Sequence, residues 1–285
     1  MSVLHDVAHF MRWKLIAVRY AGKLKGLSLH PALSEAPPRT GTVERVRRDG
    51  HDTGPKLPAA TVLQINQIYR PRIDSVVARP DGHPFVNLFR SEDMSPDNPV
   101  FRIAFSTDVL DVADDYFSGR LILDSIQVLY SWPTSGALRE SQKWHKDYGD
   151  SKSFHWISYL NDVRGPDDGP FGFVDKADTR RIGRSAFIRR IGDEQFSHEL
   201  GSGTPRQFLG AAGDSVFVDP AVCYHYGSRC RNARLALFVT FNTNRPFVRP
   251  TPLIGENREQ ILHAARIVRP DLSERFLRSI LQLGS

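Results

Sequence analysis

His145 and Asp147 stand two residues apart in Trp144-His145-Lys146-Asp147, and a second histidine, His225, follows far downstream. On a strand, side chains alternate between faces, so positions 145 and 147 point the same way. Two imidazoles and one carboxylate suit a borderline divalent ion, and the lack of a thiolate argues against structural zinc. Such a set, on one face of iron(II), leaves three coordination positions open for a cosubstrate and dioxygen. The chemistry it would support is oxidation. A lone His-x-Asp pair arises often by chance, and alone His145 reads more readily as a core or surface histidine than as a ligand. Its surroundings add weight. Gly213-Asp214-Ser215-Val216-Phe217-Val218-Asp219-Pro220 reads as a turn entering a buried strand with His225 at its far end, and Arg234 opens the next strand. A ligand ending one strand and a guanidinium on its neighbour can face the same cavity. An arginine fork there would pair a carboxylate through two hydrogen bonds.

The elements that must hold these groups are short strands. Arg120–Tyr130 and Ser153–Leu160 are rich in β-branched and aromatic residues, and Ser215–Val218 and Arg234–Phe241 repeat the pattern. In the last, Leu235, Leu237, Val239 and Phe241 share one face, while Arg234, Ala236, Phe238 and Thr240 share the other. Several such strands separated by turns predict a barrel or sandwich. Residues 61–73 carry a short helical pattern that Pro71 is expected to cut off, and residues 100–118 read as helical up to a stop at Gly119. The organisation predicted is an amphipathic helix over 1–32, a loop or flexible linker over 33–60 broken by Pro37-Pro38, Gly41, Gly50 and Gly54, a β domain over 61–250 with helical support, and a C-terminal helix within 251–285 interrupted at Pro270.

Ser141-Gln142-Lys143-Trp144-His145-Lys146-Asp147, then Tyr159-Leu160-Asn161-Asp162-Val163 and Gly169-Pro170-Phe171-Gly172-Phe173-Val174, together resemble the phytanoyl-CoA dioxygenase family. These are iron(II)- and 2-oxoglutarate-dependent oxygenases built on a double-stranded β-helix, or jelly roll. The Gly-Asp turn, His225 and Arg234 continue the pattern in order, and the resemblance covers roughly residues 100–245. It implies a mainly β fold with flanking helices. His145, Asp147 and His225 would hold iron(II), and 2-oxoglutarate would chelate the metal and place its distal carboxylate on Arg234. Oxidative decarboxylation, with dioxygen, would be coupled to hydroxylation, desaturation or oxidative cleavage. Retention of Asp147 argues against the halogenating relatives, in which a small residue frees a position for chloride.

The chain departs from that pattern in two places. Some relatives carry a hydroxyl two residues after the distal histidine; here that position is Gly227, with Ser228 one later, so Ser228, Thr240 and Tyr130 are the candidates for a further cosubstrate contact. Val174-Asp175-Lys176-Ala177-Asp178 replaces the Gly-Ser-His that relatives carry after the Gly-Pro strand. The insertion over about 176–210 begins with six basic residues and one acid over 176–190. Arg180, Arg181 and Arg184 are candidates to grip an anionic substrate group, against the plainer reading of a solvated face. Trp144 and Trp156 are candidates to line the pocket or to pack in the core. His155 and His198 have no spacing partner and read as structural or exposed.

Composition bounds the rest. With 285 residues, 40% hydrophobic and 25% charged, the chain can bury a sizeable core. A net charge of +6 without a basic tail, zinc-finger spacing or RNA-binding aromatic signature excludes nucleic acid as the expected partner and leaves a small molecule. Two cysteines, Cys223 and Cys230, form neither a redox nor a zinc pattern and fit a reducing, cytoplasmic setting. Five basic residues and no acid over 12–25 leave two readings of the first helix: packed on the barrel, or lying on an anionic membrane surface. The competing functions are a membrane-associated modifier of a lipid or glycan precursor and a catalytically silent jelly-roll binding protein. Oligomeric state is not legible.

Overall fold

The computed structural model describes residues 36–76, 83–147, 149–182 and 190–284. The helix expected over 1–32, with its membrane-surface reading, lies outside the described residues, as does Arg184. No helix among the described residues is long and apolar enough to cross a membrane.

Two antiparallel sheets form the core. The larger has six strands in the order β1 (His51–Thr53), β9 (Ser215–Val218), β5 (Ser153–Tyr159), β11 (Arg234–Thr243), β3 (Leu121–Ser131) and β2 (Phe85–Asn87). The smaller has five, in the order β7 (Arg190–Ile191), β4 (Trp144–His145), β10 (His225–Tyr226), β6 (Phe171–Phe173) and β8 (Arg206–Phe208). Strands distant in sequence alternate between the sheets, so the architecture is the expected double-stranded β-helix with flanking helices.

The two faces of the large sheet differ in kind. Leu235, Leu237, Val239 and Phe241 of β11 and Phe154 and Trp156 of β5 face the helices, in one cluster with Ile65, Phe101, Leu110, Ile261 and Leu277. Each such buried aliphatic or aromatic side chain contributes about 1.5–3 kcal/mol relative to exposure, which makes this face the main source of stability. On β3 the outward residues are Leu121 and Leu123, then Ile126 and Val128. Parity changes because the β11 register jumps from Thr240↔Ser125 to Phe241↔Leu123, leaving Asp124 as the extra residue of a β-bulge.

The linker expected over 33–60 is corrected: Gly41–Asp49 is a helix and β1 extends the large sheet beside β9. The glycines that suggested a loop are boundary residues. The Thr40 side chain accepts from the Val43 amide to cap the start, and Gly50 ends the helix in the left-handed conformation at φ 89°, its amide bonded to Val46 O. Val43 and Val46 bury the inner side. Pro71 does not stop its helix, which runs Ala59–Ile73; the missing N–H falls in the last turn, where its loss costs one bond before the end. Residues 100–118 form Pro99–Ala104, a π turn over Thr107–Asp111 and Val112–Phe117. At the C-terminus Arg258–Val268 and Glu274–Ile280 flank Pro270, the second capped by Ser273.

Candidate metal centre

The register of the small sheet creates the site. β10 pairs with β4 so that His225 lies directly opposite His145, and their ring centroids are 4.2 Å apart. The ring nitrogens are oriented from behind: His145 Nδ1 is 2.8 Å from Lys143 O, and His225 Nδ1 is 3.1 Å from Cys223 O. With Nδ1–H donating to a carbonyl, each Nε2 keeps its lone pair for a metal. Burial above all, then neighbouring His225, pushes the His145 pKa down to about 3, so that ring is neutral at physiological pH. Asp147 follows on the same side, its amide donating to Pro220 O at 2.9 Å. Its Oδ1 is 3.7 Å from both His145 Nε2 and His225 Nε2, and all three donor atoms lie within 4.8 Å of one another. Adjacent donors around an octahedral ion with bonds of about 2.1 Å are separated by about 3 Å, so modest side-chain movement closes the set.

Packing behind the triad is tight. Gly172 of β6 is the cross-strand partner of Tyr226, and a Cβ at 172 would collide with the Tyr226 ring. That ring meets Trp144 edge-on at 4.6 Å, and Trp144 stacks on Phe196 at 3.9 Å. Trp144 therefore packs on the far side of β4 from His145. Trp156, fully buried, packs on the helix-facing side of the large sheet and donates from Nε1 to Ser215 Oγ at 3.0 Å. Neither tryptophan lines the site, because strand alternation sends each away from it.

Arg234 begins β11 on the inward face and is 2% exposed. Its Nη2 donates to Ser228 Oγ at 3.1 Å and Ser131 Oγ at 3.4 Å, and its Nη1 to Gly169 O. Nε is buried without a hydrogen-bond partner, and no carboxylate pairs with this guanidinium among the described residues. Ser228 reaches it through a left-handed backbone, φ 57°, with its carbonyl held by Gln142 Nε2 at 2.8 Å. The displaced hydroxyl thus still arrives beside Arg234. Thr240 faces inward too, but opposite His155 and six positions along β11 from Arg234, at the triad end of the interior. Tyr130 is a correction. It pairs with Leu235 and packs against the helix-facing cluster, on the opposite side of the sheet from Arg234. The bulge at Asp124 reverses the alternation, and Ser131 takes the inward place.

Of the basic run, Arg181 is bound to Asp178 and Arg180 is exposed; neither has a recorded contact with the triad. Among the described residues of the run, Arg190 is brought close. It is the cross-strand partner of His145 and forms an ion pair with Glu140 at 2.7 Å.

Two interior residues near the site have no place in it in the sequence reading: Asp124 is not singled out, and His155 reads as structural or exposed. Asp124, on the bulge, accepts from Asn242 Nδ2 at 3.0 Å, and Asn242 Oδ1 accepts from Ser153 Oγ at 2.8 Å. Burial, then the charge of Asp147, pushes the Asp124 carboxyl up to about 7. His155 of β5 has Nε2 3.7 Å from Asp147 Oδ2, and burial pushes its pKa down to about 4. A polar residue alternating with Phe154 and Trp156 was the available signal, since only an inward-facing position accommodates it there.

The fold and site define a jelly-roll protein with a His-Asp-His cluster able to bind a divalent metal and a separate buried arginine. No protein-family model and no curated protein matches the sequence. Solved structures do match. EctD from S. alaskensis, with 2-oxoglutarate and 5-hydroxyectoine, is 16% identical with a TM-score of 0.55, over 78% of this chain and 85% of that one. The same enzyme with bound Fe is 18% identical with a TM-score of 0.52, over 78% and 85%. HygX from Streptomyces hygroscopicus, with nickel and 2-oxoglutarate bound, is 17% identical with a TM-score of 0.51, over 73% and 88%. At these identities the likeness establishes the shared fold.

Proposed function

We propose that this chain is a non-haem iron(II)- and 2-oxoglutarate-dependent oxygenase of the phytanoyl-CoA dioxygenase type, acting on a small molecule. The observation that carries the reading is Arg234. Leaving a guanidinium buried without a counter-ion costs several kcal/mol, yet Nε is unpartnered and the groups around it are neutral hydroxyls and a carbonyl. A dicarboxylate anchored at the triad and extended along the interior would meet that need. EctD and HygX, on the same fold, have 2-oxoglutarate bound.

His145, Asp147 and His225 would hold iron(II), which with 2-oxoglutarate and dioxygen supplies the oxidising power to attack an unactivated C–H bond. The protein's own residues bind and orient. The neutral His145 imidazole keeps Nε2 available without first losing a proton, and Asp147 offsets part of the metal charge. Arg234 fixes the far carboxylate, with Ser228 and Ser131 steering its Nη2. Phe171 and Phe238 line the interior beside His225 and His155 and exclude water. Hydroxylation is the simplest outcome of this arrangement.

The test is succinate release with iron(II), 2-oxoglutarate and dioxygen, alongside 2-oxoglutarate affinity measured on the anaerobic metal complex. Arg234→Ala is expected to weaken 2-oxoglutarate binding by about 2–5 kcal/mol while leaving metal affinity intact. Unchanged 2-oxoglutarate affinity in that variant would remove the cosubstrate assignment.

A further inference from the structure

The register of the small sheet lines up more than two imidazoles. β7 pairs with β4 so that Arg190 lies opposite His145, and β10 places His225 on the other side of His145, followed by Phe173 of β6. Directly opposed residues of antiparallel strands put their side chains on the same face, with Cβ atoms about 4.5–5.5 Å apart. One row therefore reads Arg190, His145, His225, Phe173 across the face that carries the metal cluster. Arg190 ends that row, because β7 is an edge strand. Its charge is close enough to act on His145, and the charge of Asp147 acts on it in turn. The side chain is 20% exposed, whereas Arg234 is 2% exposed. Of the two interior-facing arginines, Arg190 is thus the one a solute reaches from outside.

That guanidinium is incompletely matched. Glu140 pairs with Nη2 at 2.7 Å, but Glu140 is 50% exposed, and a solvated carboxylate offsets little of a neighbouring charge. Nε is buried without a hydrogen-bond partner. Nε and Nη2 form one edge of the guanidinium, the edge that takes a carboxylate or phosphate through two parallel hydrogen bonds, and Glu140 engages only its outer half. Filling the triad sharpens the mismatch. A divalent ion brings charge of the guanidinium's own sign and takes up the Asp147 carboxylate that otherwise favours it. In the function proposed above, 2-oxoglutarate has one carboxylate on the metal and the other on Arg234, so both of its own anionic ends are already engaged.

Resting on that function, we infer that Arg190 is a specificity-determining residue: its Nε–Nη2 edge takes an oxyanion of the substrate, a carboxylate or a phosphate, at the rim of the small sheet beside the metal. Glu140 holds the same edge until the anion arrives and then shares or yields Nη2. The substrate class is accordingly a small anionic molecule whose charged group docks next to His145.

Binding without turnover tests this on the full chain. Acetate, phenylacetate and inorganic phosphate, with acetamide and phenylacetamide as uncharged counterparts, are titrated into the Co(II)–2-oxoglutarate complex while the visible cobalt spectrum is followed. Wild type is expected to respond saturably to the anions and to prefer them to the amides. Arg190→Gln is expected to bind the anions about 10–100-fold more weakly and the amides equally, while holding Co(II) and 2-oxoglutarate at least as tightly as wild type, since a like charge has left the metal's side. Glu140→Gln releases Nη2 and is expected to tighten the anions. The assignment is overturned if wild type shows no preference for anions, if Arg190→Gln binds them as wild type does, or if Glu140→Gln gains nothing. An Arg190→Gln chain that also loses Co(II) marks a purely structural ion pair, and one that loses 2-oxoglutarate in step with the anions marks a cosubstrate contact; either result sinks the substrate role. A wild-type chain that binds neither Co(II) nor 2-oxoglutarate removes the function proposed above, so the two failures are told apart.

Discussion

The two faces of β5 and β11 belong to the same residues' backbones and do different work. Toward the helices they present Phe154, Trp156, Leu235, Leu237, Val239 and Phe241, all buried in one apolar cluster. Toward the interior they present Ser153, Arg234, Thr240 and Asn242, also buried, and the half-buried His155, of which Ser153, Asn242 and Arg234 are tied into side-chain hydrogen bonds and His155 into a charge contact. Burial alone does not separate the two. What separates them is whether the buried atoms have partners: the helix side is self-sufficient, and the interior leaves a guanidinium nitrogen and the triad's converging lone pairs waiting for something else. Stability and chemistry are thus divided by strand parity, not by region of the chain.

That division can be attacked from either side. The largest effect is expected from His225→Ala, which leaves two ligands and should abolish binding at stoichiometric Co(II) or iron(II), while thermal unfolding of the metal-free chain moves little. Strong residual binding would show that the interior set is wrong. On the other face, Leu237→Ala should cost about 2–5 kcal/mol of stability in denaturant unfolding with metal affinity unchanged in the folded fraction; a large loss of affinity would mean the faces are coupled. Asp124→Asn should have a smaller, pH-dependent effect. The carboxyl is pushed up from 3.8 to about 7, by burial first and Asp147 second. The folded chain therefore keeps a proton that the unfolded chain has lost. Metal-free wild type loses stability from this group as pH rises from about 4 to about 7, and Asp124→Asn does not. The melting-temperature difference should grow in favour of the variant over that range, and a flat difference would contradict the burial of Asp124. Tyr130→Phe should do least, with 2-oxoglutarate affinity unchanged, since the hydroxyl lies across the sheet from Arg234; weakened binding there would overturn the assigned faces.

The triad was legible because its members announce themselves locally: His145 and Asp147 by a two-residue spacing, His225 by its place after a turn and a buried strand. Arg234 followed from its position on the next strand. What failed was everything that needed pairing register. A one-residue change of register exchanges the faces of a strand, and the bulge at Asp124 makes that change inside β3, so Tyr130 turns outward and Ser131, unremarked in the sequence, reaches Arg234. His155 was missed because its partner, Asp147, is contributed across the interior, where sequence spacing carries no signal. Gly41 and Gly50 misled in another way: a glycine marks both loops and helix ends, and only the Thr40 cap and the buried Val43 and Val46 decide between them.

Gly172 touches no donor atom, yet it sets how near the two halves of the metal cluster can stand. The absent methyl lets the Tyr226 ring lie flush on β6, and Tyr226 is the residue next to His225. Any larger side chain would lift β10 away from β6 and carry one imidazole with it. The reach of the cluster is fixed by a vacancy on the outer surface of the small sheet, a constraint that no inspection of the ligands themselves would reveal.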